Sequence, residues 1–251
     1  MELSILSRII KHMKTILITG ANRGLGMGLA RSYAEQDGVS IIACCRSPAD
    51  ADELRALAKE KGCFRIEALD VADENSIELL AQRLAGTPID ILINNAGIFG
   101  KNPPATSGFA DQSFGKSNFE ADWIKPFRTN VIGPMKMVES LIENVAASNE
   151  KKVVIVTSIV GSITTAPGFM FGYAASKAAA NMTAKNLAVA LKSRKIIVNP
   201  LHPGYVKTDM SGEGADIEVE KSIAGMRAQI DAMSLEKTGC FLSYDGNELP
   251  W

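Results

Sequence analysis

The chain has 251 residues, 46% hydrophobic and 22% charged, and 27 basic against 28 acidic side chains leave a net charge of −1. This is the make-up of a soluble globular protein with a substantial core, and it argues against a nucleic-acid or acidic-membrane surface. Four cysteines with no CxxC pairing and only two histidines, His12 and His202, speak against a metal site, a disulfide framework or a His-based hydrolytic triad.

Residues 1–13 carry Leu3, Ile5, Leu6, Ile9 and Ile10, but Arg8 interrupts them and no small-residue cleavage site follows. They read as a lead-in rather than a signal peptide. No apolar run reaches the roughly 18 residues of a membrane span, so a cytoplasmic protein with free thiols is expected. Lys14–Thr19 (KTILIT) is a buried strand that stops at Gly20–Ala–Asn–Arg–Gly24–Leu–Gly26, and Met27–Gln36 continues as a helix. Glycines at a strand-to-helix turn let backbone N–H groups approach a pyrophosphate, and the helix N-terminus adds partial positive charge. Val39–Cys44 is a second strand ending in Cys45–Arg46. Where an acid accepts from a ribose 2′-OH in such folds, Cys45 stands here; Arg46, with Arg23, suits a 2′-phosphate. NADP(H) is therefore expected over NAD(H).

Ala49–Lys61 reads as a helix, Phe64–Leu69 as a strand closed by Asp70–Val71, and Asp73–Leu84 as a helix capped by Asp73. Ile89–Ile93 is a fourth strand running into Asn94–Asn95–Ala96–Gly97. Residues 98–118 are too long and too rich in Gly, Pro, Ser and Asn for a plain connector, and are expected as a loop or lid. Residues 119–149 are helical, broken or bent near Pro126 and Pro134 with Asn130 between them. Lys152–Thr157 is the fifth strand, with Ser158 at its carboxyl end, and a helix from Tyr173 to about Leu191 follows. The strand Lys195–Val198 is expected to end or bulge at Asn199, because Pro200 lacks an N–H. His202–Thr208 is a turn, Ile217–Met233 an amphipathic segment, and Cys240–Tyr244 a last short strand. Strands alternating with helices predict one domain over 1–251: a Rossmann-type, doubly wound parallel α/β sheet of about seven strands.

Tyr173 and Lys177 are four residues apart and leave one helix face with Cβ atoms about 5–6 Å apart. At about 5 Å and an effective dielectric of about 20, Coulomb's law gives roughly 3 kcal/mol. That would lower the phenol by roughly two pKa units, into the range of general acid/base work. Ser158 is preferred to Ser162 as a catalytic hydroxyl because of its strand-end position. His202 reads as structural or surface, and Phe169, Met170 and Phe171 as a wall of an apolar pocket or as core.

Together Thr19–Gly26, Asp70–Val71, Asn94–Gly97, Asn130–Val131, Thr157–Ser158, Tyr173 to Lys177 and Pro203–Gly204 resemble the short-chain dehydrogenase/reductase family, from Lys14 to Trp251. The stretches Ile159–Ile163, Leu201–Met210 and Tyr244–Trp251 resemble its C-factor/sniffer-like carbonyl reductase branch. Two features depart from the pattern. Ser158 lies 15 residues before Tyr173, more than is usual, and Tyr205 stands where this branch often carries tryptophan. The resemblance implies an NADP-dependent oxidoreductase that reduces a ketone, aldehyde or quinone to the alcohol, and a homodimer or homotetramer. It implies Asn130, Ser158, Tyr173 and Lys177 as the catalytic set. Gly20, Asn22, Arg23, Gly24, Leu25 and Gly26 would hold the pyrophosphate, and Arg46 with Arg23 the 2′-phosphate. Asp70 and Val71 would meet the adenine, and Asn94, Ala96 and Gly97 would line the cleft. Tyr173, Lys177, Pro203, Gly204, Val206 and Thr208 would stand at the nicotinamide end. A nucleotide-sensing or signalling protein of the same fold is the alternative.

Overall fold

The computed structural model describes residues 13–109 and 112–251. The lead-in expected over 1–13 lies outside them except for Met13. Seven strands, β1 (Lys14–Thr19), β2 (Val39–Cys45), β3 (Phe64–Ala68), β4 (Ile91–Asn94), β5 (Lys152–Val156), β6 (Ile197–His202) and β7 (Leu242–Ser243), form one sheet. Their order is β3-β2-β1-β4-β5-β6-β7 and every neighbouring pair is parallel. The expected doubly wound sheet is therefore present.

Alternation along β1 explains why helices cover both faces. Ile16 and Ile18 pack with α1 (Gly24–Ala34), α2 (Asp52–Lys61) and α6 (Val219–Asp231). Leu17 points the other way, toward α3 (Glu74–Arg83), α4 (119–146) and α5 (Phe171–Leu191). Asp73 caps α3 as expected, its carboxylate accepting from the Asn75 N–H at 3.1 Å.

One expectation is refined and one corrected. Helix α4 is not broken at its prolines: Phe119–Ile124 and Arg128–Ile132 widen into π-helical turns on either side of Lys125–Phe127, and Gly133–Ala146 continues as α-helix. Pro126 and Pro134 have no N–H for the carbonyls four residues earlier, and wider turns absorb the loss. Strand β6 does not stop before Pro200, which pairs in register with Ile155, and runs on to His202. The Leu201 carbonyl accepts from Thr157 on the β5 side, whereas those of Val198 and His202 accept from Gly239 and Tyr244 on the other. Alternation puts the missing N–H of Pro200 on that second side, which β7 meets only at Leu201 and His202.

The chain leaves β1 for β2 and β3, then crosses back to β4 on the other side of β1. The resulting switch point opens a crevice at the carboxyl ends of β1 and β4.

Candidate active site

A cavity of about 1360 Å³ fills that crevice and continues over the ends of β5 and β6. Gly20, Asn22, Arg23, Gly24 and Leu25 form one end of it. Helix α1 begins there at Arg23 with no side-chain cap, so its first N–H groups are free to meet an anion. Gly26 is not on the wall. A Cβ there would lie 2.1 Å from the Gly20 carbonyl oxygen and 2.6 Å from Asn95 Nδ2, so this glycine lets the turn close on itself. Asn95 Nδ2 donates to the carbonyls of Thr19 and Gly20, and Thr19 Oγ1 accepts from the N–H groups of Asn95 and Ala96. The ends of β1 and β4 are thus one hydrogen-bonded unit.

Cys45, Arg46, Asp70 and Val71 line the next part of the cavity. Asp70 Oδ1 accepts from the Ala72 N–H at 2.9 Å and holds the bend after β3. Arg23, expected on a phosphate with Arg46, lines the cavity, and its Nη1 also reaches Asp209 Oδ2 at 3.2 Å in an exposed ion pair across the cleft. Ala96 and Gly97 line the cavity, but Asn94 does not: its amide is buried without a hydrogen-bond partner, and Asn95 takes the wall position. Pro203, Gly204, Val206 and Thr208 all reach the cavity.

Ser158, Tyr173 and Lys177 converge on its floor. Ser158 stands beside the Tyr173 phenol and favours its ionised form. Lys177 Nζ stands 5.7 Å from the Tyr173 ring centroid and donates to the Val156 carbonyl at 2.9 Å. Ser162, the rival hydroxyl, is off the wall and accepts from the Thr165 N–H. Burial pushes the Tyr173 phenol up to about 12, with Ser158 opposing. It pushes the Lys177 ammonium down to about 8. The phenol expected to be lowered is therefore raised, with desolvation by burial as the dominant cause.

Asn130 sits in the second π-turn of α4. Its Oδ1 accepts from the Ile98 N–H, and its Nδ2 donates to the Ile98 carbonyl and to Ser176 Oγ. A Cβ at Gly97 would lie 3.2 Å from Asn130 Oδ1 and 3.6 Å from Lys177 Nζ, which shows how closely the three approach. The side chain of Asn130 thus joins the end of β4 to α5.

Phe99, Phe109, Met170, Tyr205 and Met210 supply an apolar wall beside the Tyr–Ser pair. The Phe99 ring lies 4.8 Å from that of Tyr173, and Phe109 packs on Phe169 at 5.2 Å. Residues 98–118 do fold over the cleft, with a short helix at Pro104–Ser107; residues 110–111 lie outside the described part. His202, read as structural or surface, is buried on the cavity floor with Nδ1 unpartnered, and burial pushes it down to about 4. Neither Phe99 nor His202 sits in a local pattern that marks it. Among the described residues no group of three or more His, Cys, Asp or Glu is placed to hold a metal, and no helix is long and apolar enough to cross a membrane.

A Gly-rich turn at the switch point of a doubly wound sheet defines a dinucleotide-binding fold. Comparison with known proteins narrows this. The short chain dehydrogenase model matches residues 14–218, and the chain belongs to that family of oxidoreductases. The carbonyl reductase Sniffer of D. melanogaster superposes with a TM-score of 0.86 at 29% identity, covering 96% of this chain and 100% of that one. The NADPH-bound carbonyl reductase from chicken fatty liver gives 0.85, also at 29% identity, over 96% and 100%. C-signal of Myxococcus xanthus is 33% identical over 165 residues, 65% of this chain and 93% of that protein.

Proposed function

We propose that this protein is an NADPH-dependent reductase of small, largely apolar ketones, aldehydes or quinones, with Tyr173 as the acid. The observation that carries the proposal is the single cavity in which the uncapped start of α1, the Arg46 side chain and the Ser158–Tyr173–Lys177 cluster all meet. The residues fit the cofactor. The glycine turn and the first N–H groups of α1 would hold the pyrophosphate, and Arg46 the 2′-phosphate. Ala96 and Gly97 would line the cleft along the cofactor, and Pro203, Gly204, Val206 and Thr208 would close on its nicotinamide end. Bound there, NADPH supplies the hydride.

The chain's own residues handle the proton and the carbonyl oxygen. A phenol held near 12 stays protonated at neutral pH, and donates as charge builds on the substrate oxygen. Ser158 hydrogen-bonds the same oxygen and stabilises that charge. Lys177, near 8, remains mostly cationic at pH 7 and favours the phenolate left behind. Asn130 keeps Ile98 and Ser176, and with them the two walls of the cluster, in place, and its carbonyl is the group we assign to a water in the relay from Lys177 to solvent.

A cytoplasmic location and a homodimer or homotetramer belong to the same reading. Phe119 and Ile132 on α4, and Met182 and Val189 on α5, expose 76%, 52%, 60% and 70% of their surfaces and suit helix pairing between subunits. The likeness to C-signal favours a second reading, a nucleotide-sensing or signalling protein of the same fold with little turnover. Titrating NADPH and NADH against intrinsic fluorescence separates the possibilities. NADPH should bind tighter, and Arg46→Ala should weaken it roughly tenfold while leaving NADH unchanged. Equal affinities would remove the phosphate assignment. Tight NADPH binding without carbonyl turnover across a broad panel would favour the sensor.

A further inference from the structure

Helix α5, which carries Tyr173 and Lys177, begins without a cap of its own. Met170, the residue before it, is in the left-handed region at φ 55° and makes no side-chain cap bond; the first helical bond runs from the Ala174 N–H to the Met170 carbonyl. The N–H groups of residues 171–173 are therefore left over. A residue 61 positions earlier meets one of them. Gln112 Oε1 accepts from the Tyr173 N–H at 3.4 Å, and its Nε2 donates to the Phe99 carbonyl at 2.8 Å.

Phe99 is the residue whose ring lies against Tyr173, so the Gln112 amide grips both the backbone of the tyrosine and the backbone of its neighbour. Gln112 is 1% exposed and has no freedom to serve elsewhere. Asp122, 4% exposed, holds the same segment at two points, accepting from the N–H groups of Lys101 and Asn118 at 2.9 and 2.7 Å. Gly100 is what lets these groups close up: at φ 145°, a Cβ there would lie 2.5 Å from both Asp122 Oδ1 and Gln112 Nε2.

We infer that Gln112 is a positioning residue for Tyr173: it caps the catalytic helix from the 98–118 segment and locks Phe99 against the phenol, so that this segment sets the geometry of the acid as well as covering the cleft. The inference rests on the reductase reading above for its kinetic part. Its structural part does not.

The test uses the full-length protein with Gln112→Met, which keeps the length and loses both bonds, and Gln112→Glu, which keeps an acceptor facing the Tyr173 N–H. Two measurements are made, amide exchange at Tyr173 and steady-state kinetics with an aromatic ketone and NADPH. In Gln112→Met, exchange at Tyr173 should rise roughly tenfold and kcat should fall tenfold or more. NADPH affinity should stay within about twofold, since the glycine turn lies on other elements. Gln112→Glu should keep exchange at Tyr173 near the wild-type value and retain more of kcat than Gln112→Met, with a raised KM, because its acceptor for the Tyr173 N–H stays while a carboxyl oxygen now faces the Phe99 carbonyl and repels it. Unchanged exchange at Tyr173 in a folded Gln112→Met protein would overturn the cap. Equal losses of kcat and NADPH affinity, with no recovery in Gln112→Glu, would reduce Gln112 to general support. If wild-type protein turns over no carbonyl at all, the reductase reading fails, while the exchange data still decide the cap.

Discussion

The two ends of the cavity are built differently. At the glycine-turn end, the walls are the tips of β1, β2, β3 and β4 and the turns that leave them, bonded to one another through Thr19 and Asn95. At the substrate end, the walls are long segments, 98–118, 159–170 and 205–211, held by contacts between residues far apart in sequence: Gln112 with Tyr173, Arg23 with Asp209, Thr164 with Trp251. A site made of strand tips inherits its geometry from the sheet register. A site made of loops must have each loop pinned separately, and there the side chains that pin it are as important as those that touch a ligand.

The largest effect should come from disabling the chemistry while leaving the cradle intact. Tyr173→Phe should cut carbonyl reduction on the order of 10³-fold while NADPH binding stays within about twofold. Near-normal rates would break the acid assignment.

His202 lies at the seam, on the cavity floor, with its folded pKa near 4 against an ordinary 6.5. Burial is the main cause; the Lys177 charge pushes the same way and Asp245 opposes. Below 6.5 the unfolded chain binds a proton that the folded chain refuses. The stability from a neutral His202 is therefore complete above pH 6.5 and declines as pH falls toward 4, by up to about 3 kcal/mol. Denaturant unfolding of wild type and His202→Gln across pH 4–7 should show a steeper slope in the wild type; parallel slopes would place the imidazole in solvent.

Gly26→Ala attacks the rigid end. The new methyl would meet the Gly20 carbonyl at 2.1 Å, so the turn must shift, at a cost of roughly 1–3 kcal/mol. Thermal melting should fall and NADPH affinity should weaken roughly tenfold, and an unchanged melt would mean the turn yields freely. The smallest effect belongs to the loop end. Thr164 donates to the Trp251 carbonyl oxygen through both its N–H, at 2.9 Å, and its hydroxyl, at 2.5 Å. Thr164→Val removes only the second, worth about 1 kcal/mol. It should change KM for the carbonyl a few-fold and leave NADPH affinity alone; a parallel loss of NADPH affinity would mean that the two ends are coupled.

Short-range rules govern the part of this protein that is legible in the chain alone. β-branched runs ending at glycine, the Asp73 cap, the alternation of strands and helices, and the i, i+4 spacing of Tyr173 and Lys177 all act within a few residues. They were enough for the parallel sheet and for naming the side chains that meet in the cavity. Tertiary structure alone decided the rest. Pro200 stays in β6 because its missing N–H falls on the side β7 does not reach. The Tyr173 phenol rises rather than falls because burial desolvates it, a property of everything packed around it. Arg23 turns to Asp209, and Gln112 to a helix 61 residues away, because the fold brings those groups within hydrogen-bond reach. Desolvation and long-range hydrogen bonds depend on which distant segments meet, and no local pattern in the chain records that.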